Sequence, residues 1–314
     1  MTLSGEANVS AASEWRLSLA HGVARAYGRN PKVAAMLVGG STARGHADRF
    51  SDLELGIFWH EPPTDEERRE AAEATGGYVH CVYPYDPEEE YWAEDIFLGG
   101  LTPDRLTTGL LVEVVHMTVE AMERIMEDVL DHYDPAELKQ NLLSVALVGI
   151  PLHGEAILER WRAQVAEYPR GLAVAVVKRH AQLDHFWRTE MFIERGNNLM
   201  LLYDTYVQVS KKLLYLLLAL NRTYYSGFKW ADRIVRGMSI TPRDFPVRFK
   251  RAWQSPPPTT IEELRPIATE FASLLEETYD LIEEQLPEID VERLRRIFRY
   301  YRQPWGEMPP NIMP

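Results

Sequence analysis

Val38-Gly39-Gly40-Ser41-Thr42-Ala43-Arg44-Gly45, followed after five residues by Ser51-Asp52-Leu53-Glu54-Leu55, is the stretch on which the reading of this chain turns. The apolar run Val33 to Val38 has the composition of a buried strand and ends at two glycines. A strand ending in Gly-Gly-Ser frees backbone N–H groups and lets the chain approach a ligand closely. Gly39 and Gly40 are therefore candidate phosphate contacts, and the Ser41 hydroxyl adds a donor suited to phosphate oxygens. Ten residues separate Ser41 from Asp52, room for a short turn or loop leading into a second strand, Asp52 to Phe58. Asp52 and Glu54 stand two apart, so the period of a strand points both carboxylates to one face. Paired carboxylates beside a phosphate-binding turn suit Mg²⁺, which takes hard oxygen ligands and shares them with substrate phosphates.

Around this stretch the first ~130 residues alternate between strand and helix patterns. Ser13 to Tyr27 reads as an amphipathic helix, Glu66 to Ala74 as a charged helix after Pro62-Pro63, and Tyr78 to Tyr83 as a third strand. Leu110 to Val115 reads as a fourth strand and Val119 to Leu130 as a helix. Between them the acidic and aromatic segment Pro84 to Gly100 lacks a clear period and reads as a long functional loop. From Asp134 onward the pattern is helical, punctuated by Pro135, Pro151, Pro169, Pro242 and Pro246, with long amphipathic stretches over 172–193, 198–220 and 261–284. The expected fold class is α+β: a small mixed-sheet domain over 1–132, an all-α helical bundle over 133–302, and an irregular proline-rich tail over 303–314.

Composition narrows the classes. With 314 residues, 46% hydrophobic and 26% charged, the chain is neither low-complexity nor collagen-like. A formal net charge of −13 disfavours a nucleic-acid partner, which normally requires a positive footprint. The acidity either keeps the chain soluble or attracts a cationic small substrate. Cys81 is the only cysteine, which excludes an internal disulfide or a multi-cysteine zinc site; within the third strand it reads as a small buried apolar residue. The N-terminal MTLSGEANVS has no signal-peptide pattern. Leu199 to Leu220 is interrupted by Asp204, Gln208, Lys211 and Lys212, so it reads as a buried helix rather than a membrane span. A cytoplasmic protein with no membrane partner is expected, and a homodimer is left open.

The opening stretch resembles the signature of the nucleotidyltransferase superfamily that includes aminoglycoside adenylyltransferases, kanamycin nucleotidyltransferase and the minimal nucleotidyltransferases. That signature is an apolar strand, Gly-Ser, a spacer often containing Arg-x-Gly, and Asp-x-Asp/Glu between apolar residues. Gly40-Ser41, Ala43-Arg44-Gly45 and Ser51-Asp52-Leu53-Glu54 match it in order and spacing. The superfamily usually adds a third carboxylate from a later strand. Glu113 is the candidate, as the one charge inside the strongly β-like Leu110 to Val115; a charge buried there without metal or partner would be costly. The streptomycin and spectinomycin adenylyltransferases carry a similar strand whose Glu serves as base. Farther on, Ile150-Pro151-Leu152-His153-Gly154, Tyr168-Pro169, Leu220-Asn221-Arg222-Thr223-Tyr224-Tyr225 and Lys229-Trp230 resemble bacterial nucleotidyltransferase-like proteins of unassigned substrate.

The resemblance implies a polymerase-beta-like catalytic domain that moves a nucleoside monophosphate, AMP first among them, from ATP or another nucleoside triphosphate to a hydroxyl of a small-molecule acceptor. Asp52, Glu54 and Glu113 would be the catalytic and Mg²⁺-holding residues, with Glu113 as base, metal ligand or both. Gly39, Gly40 and Ser41 would grip phosphates, and Arg44 would contact them or remain a solvated loop arginine. Lys229 would reach the triphosphate or a substrate anion, or remain a surface lysine beside Trp230. The helical part would supply the acceptor pocket. The acidic segment with Asp86, Glu88, Glu89, Glu90 and Asp95 would suit a polycationic acceptor such as an aminoglycoside, or form a solvated face. Two other classes remain: a toxin–antitoxin-like or RNA-modifying protein, on the Arg179-His180 and His185 spacing, and a nucleotide-binding regulatory pseudoenzyme. The intact Asp52/Glu54 pair weighs against the last.

Overall fold

The computed structural model describes residues 9–99, 109–183, 186–196, 199–254 and 260–301. The chain forms two compact units, one reaching to Tyr168 and the other starting at Pro169. The architecture is α+β, a mixed sheet with helices followed by a helical unit.

The first unit opens with helix α1 (Ala11–Tyr27), begun by Ser10, whose hydroxyl accepts the Ser13 N–H at 3.1 Å. It continues through β1 (Val33–Val38), the short helix α2 (Gly40–Ala43), β2 (Leu53–Trp59) and α3 (Asp65–Glu73). A capping box starts α3: Glu67 donates its N–H to the Thr64 hydroxyl, and its carboxylate accepts the Thr64 N–H. Then come β3 (Tyr78–Asp86), β4 (Tyr91–Leu98), β5 (Leu110–Thr118), α4 (Val119–Leu130), α5 (Glu137–Val148), β6 (Ile150–His153) and α6 (Glu155–Val165). The six strands form one sheet in the order β3-β4-β5-β2-β1-β6. Only β2 and β5 pair in parallel; the other neighbours are antiparallel.

Strand alternation gives this sheet two different faces. Leu53, Leu55, Ile57, Val112, Val114 and Ile96 bury against Ala20, Val23, Tyr27, Ala71 and Ala72 of α1 and α3. Glu54, Gly56, Glu113 and Val115 occupy the intervening positions and are half-buried. Farther along that second face, Phe58 meets Trp161 of α6 edge-on, with 4.8 Å between ring centroids.

Two expectations about the sheet differ from what the structure shows. Most of the segment read as a loop over 84–100 is the strand β4, joined to β3 by a turn in which the Asp86 carboxylate accepts the N–H of Glu88 and of Glu89. Its acidic residues have low strand propensity, but β4 is hydrogen-bonded on both edges and buries Glu94 and Ile96. The sheet-bearing unit also extends beyond residue 132, because β6 pairs with β1. Gly154 makes the return possible: it sits at φ +66, and a Cβ there would collide with Ala34 and Ala35.

The second unit contains α7 (Arg170–His180), α8 (Thr189–Glu194), α9 (Leu199–Leu220), α10 (Ala231–Arg236), α11 (Phe245–Gln254), α12 (Arg265–Gln285) and α13 (Val291–Tyr301). The amphipathic stretch over 172–193 is broken after His180 and resumes through a 3-10 turn at Phe186–Arg188. Leu213, Leu216, Leu217, Phe271, Leu275 and Tyr279 are buried on α9 and α12, and the Tyr279 hydroxyl donates to the Ala181 carbonyl at 3.0 Å. Among the described residues no helix is long and apolar enough to cross a membrane. The tail over 303–314 lies outside the described residues.

Arg68, Glu94 and His116 are fully buried in the first unit. Arg68 donates to the Glu94 carboxylate at 3.2 Å, the Ala93 carbonyl at 3.2 Å, the Tyr83 carbonyl at 2.9 Å and Asp65 at 2.7 Å. Trp59 Nε1–H donates to His116 Nδ1 at 3.0 Å, which leaves the ring proton on Nε2, facing the second Glu94 oxygen. This network ties α3 to β2, β3, β4 and β5. Removing one partner from a buried ion pair is far more damaging than never having had the pair. Arg68→Met is therefore expected to lower stability by about 3–5 kcal/mol in urea unfolding, and Arg68→Met/Glu94→Leu to recover much of that loss.

Candidate active site

Register sets the site. Glu54 of β2 stands opposite Glu113 of β5, and Glu113 stands opposite Asp95 of β4. The three residues therefore form a row across adjacent strands on the half-buried face of the sheet. Like charges on neighbouring strands repel, so the row favours cations beside it, and the Arg44 guanidinium interacts electrostatically with Glu54. Asp52, half-buried, lies just before β2 with the same parity as Glu54.

The glycine turn abuts this row. Gly39 N–H donates to the Glu54 carbonyl at 2.9 Å. Gly40 has φ +55, and a Cβ there would fall on the Glu54 carboxylate, so that carboxylate rests directly against the Gly40 backbone. Ser41 is buried in α2. Arg44 donates to the Ser144 hydroxyl of α5 at 2.8 Å and to the Gly40 carbonyl at 3.3 Å. Burial pulls its guanidinium below the usual arginine value, while the charge of Glu54 works in the opposite direction. It is thus a half-buried clamp between the turn and α5 rather than a solvated loop residue.

The loop between the turn and Asp52 is held by α1. Ser10 N–H donates to the Gly45 carbonyl at 2.9 Å, the Ser10 hydroxyl to the Ala47 carbonyl at 2.8 Å, and Ala47 N–H to the Ser13 hydroxyl at 3.0 Å. Arg16 is buried, and both its Nε, at 3.1 Å, and its Nη2 donate to the Ser51 carbonyl. That bond fixes the peptide immediately before Asp52. Sequence reasoning missed Arg16; its signal was a cation on the side of a helix that also carries Ala20 and Val23.

Asp95 is a neighbour of Glu113 that sequence reasoning misses, because the acidic, aperiodic composition of its strand has the pattern of a loop. Tyr83 donates its hydroxyl to Asp95 at 2.8 Å, and that bond leads the causes that push the phenol up to about 12. Tyr91 is likewise pushed up to about 12, first by a hydrogen bond to Glu89, then by burial, with Glu113 among the charges acting on it. Cys81, opposite Asp95, is half-buried rather than buried. Lys229 is exposed in the second unit, in the turn before α10. His180 is a packing residue, stacked on Tyr215 with 4.1 Å between ring centroids, and His185 lies outside the described residues. Among the described residues no three His, Cys, Asp or Glu side chains converge as a ready-made metal cage.

Residues 136–231 match the model of a domain family of unknown function, DUF4037. The matched stretch includes Ser144 and Lys229 but none of the carboxylates in the row. No curated protein matches the chain. Among solved structures, the chain is similar to a nucleotidyltransferase-like protein from Exiguobacterium sibiricum, at 14% identity, with 87% of this chain and 80% of that chain covered and a TM-score of 0.40.

The turn gives a stability test. Gly40→Ala must adopt a left-handed backbone and also displace Glu54, whereas Gly76, at φ +76, has open space where a Cβ would go. Gly76→Ala is expected to cost about 1–2 kcal/mol, the backbone term alone, and Gly40→Ala measurably more in the same urea titration.

Proposed function

We propose that the first unit catalyses nucleotidyl transfer, moving AMP from ATP, or the corresponding monophosphate from another nucleoside triphosphate, to a hydroxyl of a small-molecule acceptor, with the α–β phosphoanhydride bond broken and pyrophosphate released. The observation that carries this reading is the in-register pairing of Glu54 with Glu113 on parallel strands, against the Gly39-Gly40-Ser41 turn. An all-oxygen donor set of carboxylates on one sheet face fits Mg²⁺, which is usually held by one or two carboxylates plus substrate phosphates rather than by a closed protein cage. Glu54 and Glu113, neighbours across the parallel pair, would hold it together with substrate phosphates, with Asp52 just before β2 as the further candidate ligand, and the bound ion would supply charge neutralisation for the triphosphate.

The remaining work falls to the chain. The backbone of Gly39 and Gly40 and the hydroxyl of Ser41 would receive the phosphates. Arg44 fixes the turn through its bonds to Ser144 and Gly40, and would add positive charge beside those phosphates. Arg16 holds the Ser51 carbonyl and so orients Asp52. Glu113, between Glu54 and Asp95, would take the proton of the acceptor hydroxyl. The line of negative charge that ends at Asp95 favours a cationic acceptor, which supports an aminoglycoside-like antibiotic as the first compound class to try.

The test is direct. Purified protein is mixed with ATP, Mg²⁺ and a panel of aminoglycosides and lincosamides, and products are read by mass spectrometry for a gain of one nucleotide. The wild type is expected to form an adduct, and Asp52→Asn and Glu113→Gln to slow it by about 10²–10³-fold with unchanged unfolding midpoints. Transfer at the wild-type rate in Asp52→Asn would overturn the site. Absence of both Mg²⁺-dependent ATP binding and any adduct would overturn the activity.

A further inference from the structure

The second unit carries a concentration of positive charge that the nucleotidyl-transfer reading does not use. Between Lys229 and Gln254 seven basic residues stand against two acidic ones, in a chain whose formal net charge is −13. Part of that charge is compensated locally: Arg248 pairs with Glu270 and Glu277, Arg251 with Glu270, and Arg243 with Asp244. Among the described residues, Arg236 and Lys250 have no acidic partner within ion-pair distance. Both are exposed, and both line one cavity of about 500 Å³ between α10 and α11.

Helix periodicity explains how the cavity is built. Phe245, Phe249 and Arg248 turn α11 towards α12, where Phe249 meets Phe271 edge-on at 6.3 Å and Arg248 meets Glu270. Val247 and Lys250, on the other side of α11, face the groove, and Arg251 and Phe249, which also reach α12, line its edge. From α10, Val235 and Arg236 face the same groove. Val247, a large apolar side chain, is 68% exposed among the described residues. Among the described residues Asp232 is the only acid in the lining. The volume is that of a small-molecule pocket, and an apolar floor with a few convergent charges is how such pockets select a ligand.

We infer that the groove between α10 and α11 binds a small organic anion with an apolar body, an aryl or alkyl carboxylate, sulfonate or phosphate. Its anionic group meets Arg236 and Lys250, and its body lies on Val235, Val247 and Phe249. Charge complementarity selects this class: a cationic ligand would meet three basic side chains against one acid, and a purely polar anion would leave Val247 uncovered. The site is independent of the chemistry proposed for the first unit.

Two fluorescent probes of nearly the same ring structure test it on the full-length protein, without nucleotide: 8-anilinonaphthalene-1-sulfonate, which is anionic, and N-phenyl-1-naphthylamine, which is neutral. The sulfonate is expected to bind saturably at one site, about tenfold tighter than the neutral probe, and to weaken as NaCl is raised. Arg236→Gln/Lys250→Gln should weaken the sulfonate about tenfold and leave the neutral probe unchanged. Val247→Ser should weaken both. All three positions are exposed, so the unfolding midpoint should not move. Equal affinity of the wild type for the two probes, or a sulfonate affinity unaltered in the double variant, would overturn the assignment.

Discussion

The parallel pairing of β2 with β5 is the constraint on which the rest of the first unit depends. A slip of one residue would turn Glu113 into the core and bring Val112 or Val114 to the carboxylate face. Three interactions hold the register from the buried side. Leu53, Leu55, Val112 and Val114 lose contact with the core if either strand shifts. The Trp59 indole bonds His116 across the two strands, and Glu94 engages His116 while Arg68 engages Glu94. A polar network on one face thus sets the spacing of carboxylates on the other. The energetic reason is that a fully buried guanidinium and carboxylate tolerate no arrangement in which either loses its partner.

The site face shows the complementary economy. The loop leading to Asp52 and the arginine clamp are held by contacts from other elements: the start of α1 through Ser10, Ser13 and Arg16, and α5 through Ser144. The residue before Asp52 is fixed by a buried cation that donates to a carbonyl, so the loop preceding β2 is restrained although it has little regular structure of its own. Such a restraint limits the orientations open to Asp52, which is the condition for electrostatic work at a defined point. In the second unit, where helices pack through Tyr279, Phe271 and the leucines of α9, the charge pattern has the opposite sign near α10 and α11.

What was readable beforehand divides along a physical line. The strand–glycine turn–strand segment, α4 and the long helix α9 were visible because local period and composition agree with the final structure there. Glu113 could be singled out because a lone charge inside an apolar β-run has few explanations. β4 was not visible: its acidic composition argues for a loop, and only pairing on both edges together with Arg68 overrides that preference. β6 is four residues long and acquires its identity from β1. Arg16 and Asp95 became apparent as neighbours of Ser51 and Glu113 only once helix and sheet were assembled.

By itself the sequence determined the order of elements in the catalytic-looking segment, the parity that puts Asp52 and Glu54 on one side, and the α+β class. These are short-range properties, set by strand period and by the conformational freedom of glycine. Tertiary structure alone decided that Glu54, Glu113 and Asp95 stand in one row, that Arg44 is clamped to Ser144, and that Arg236 and Lys250 share a groove with Val247. Each of these joins residues from different elements, and in the strand and clamp contacts from distant parts of the chain. Such neighbourhoods follow from how buried faces pack and pair, and no local pattern along the chain encodes them.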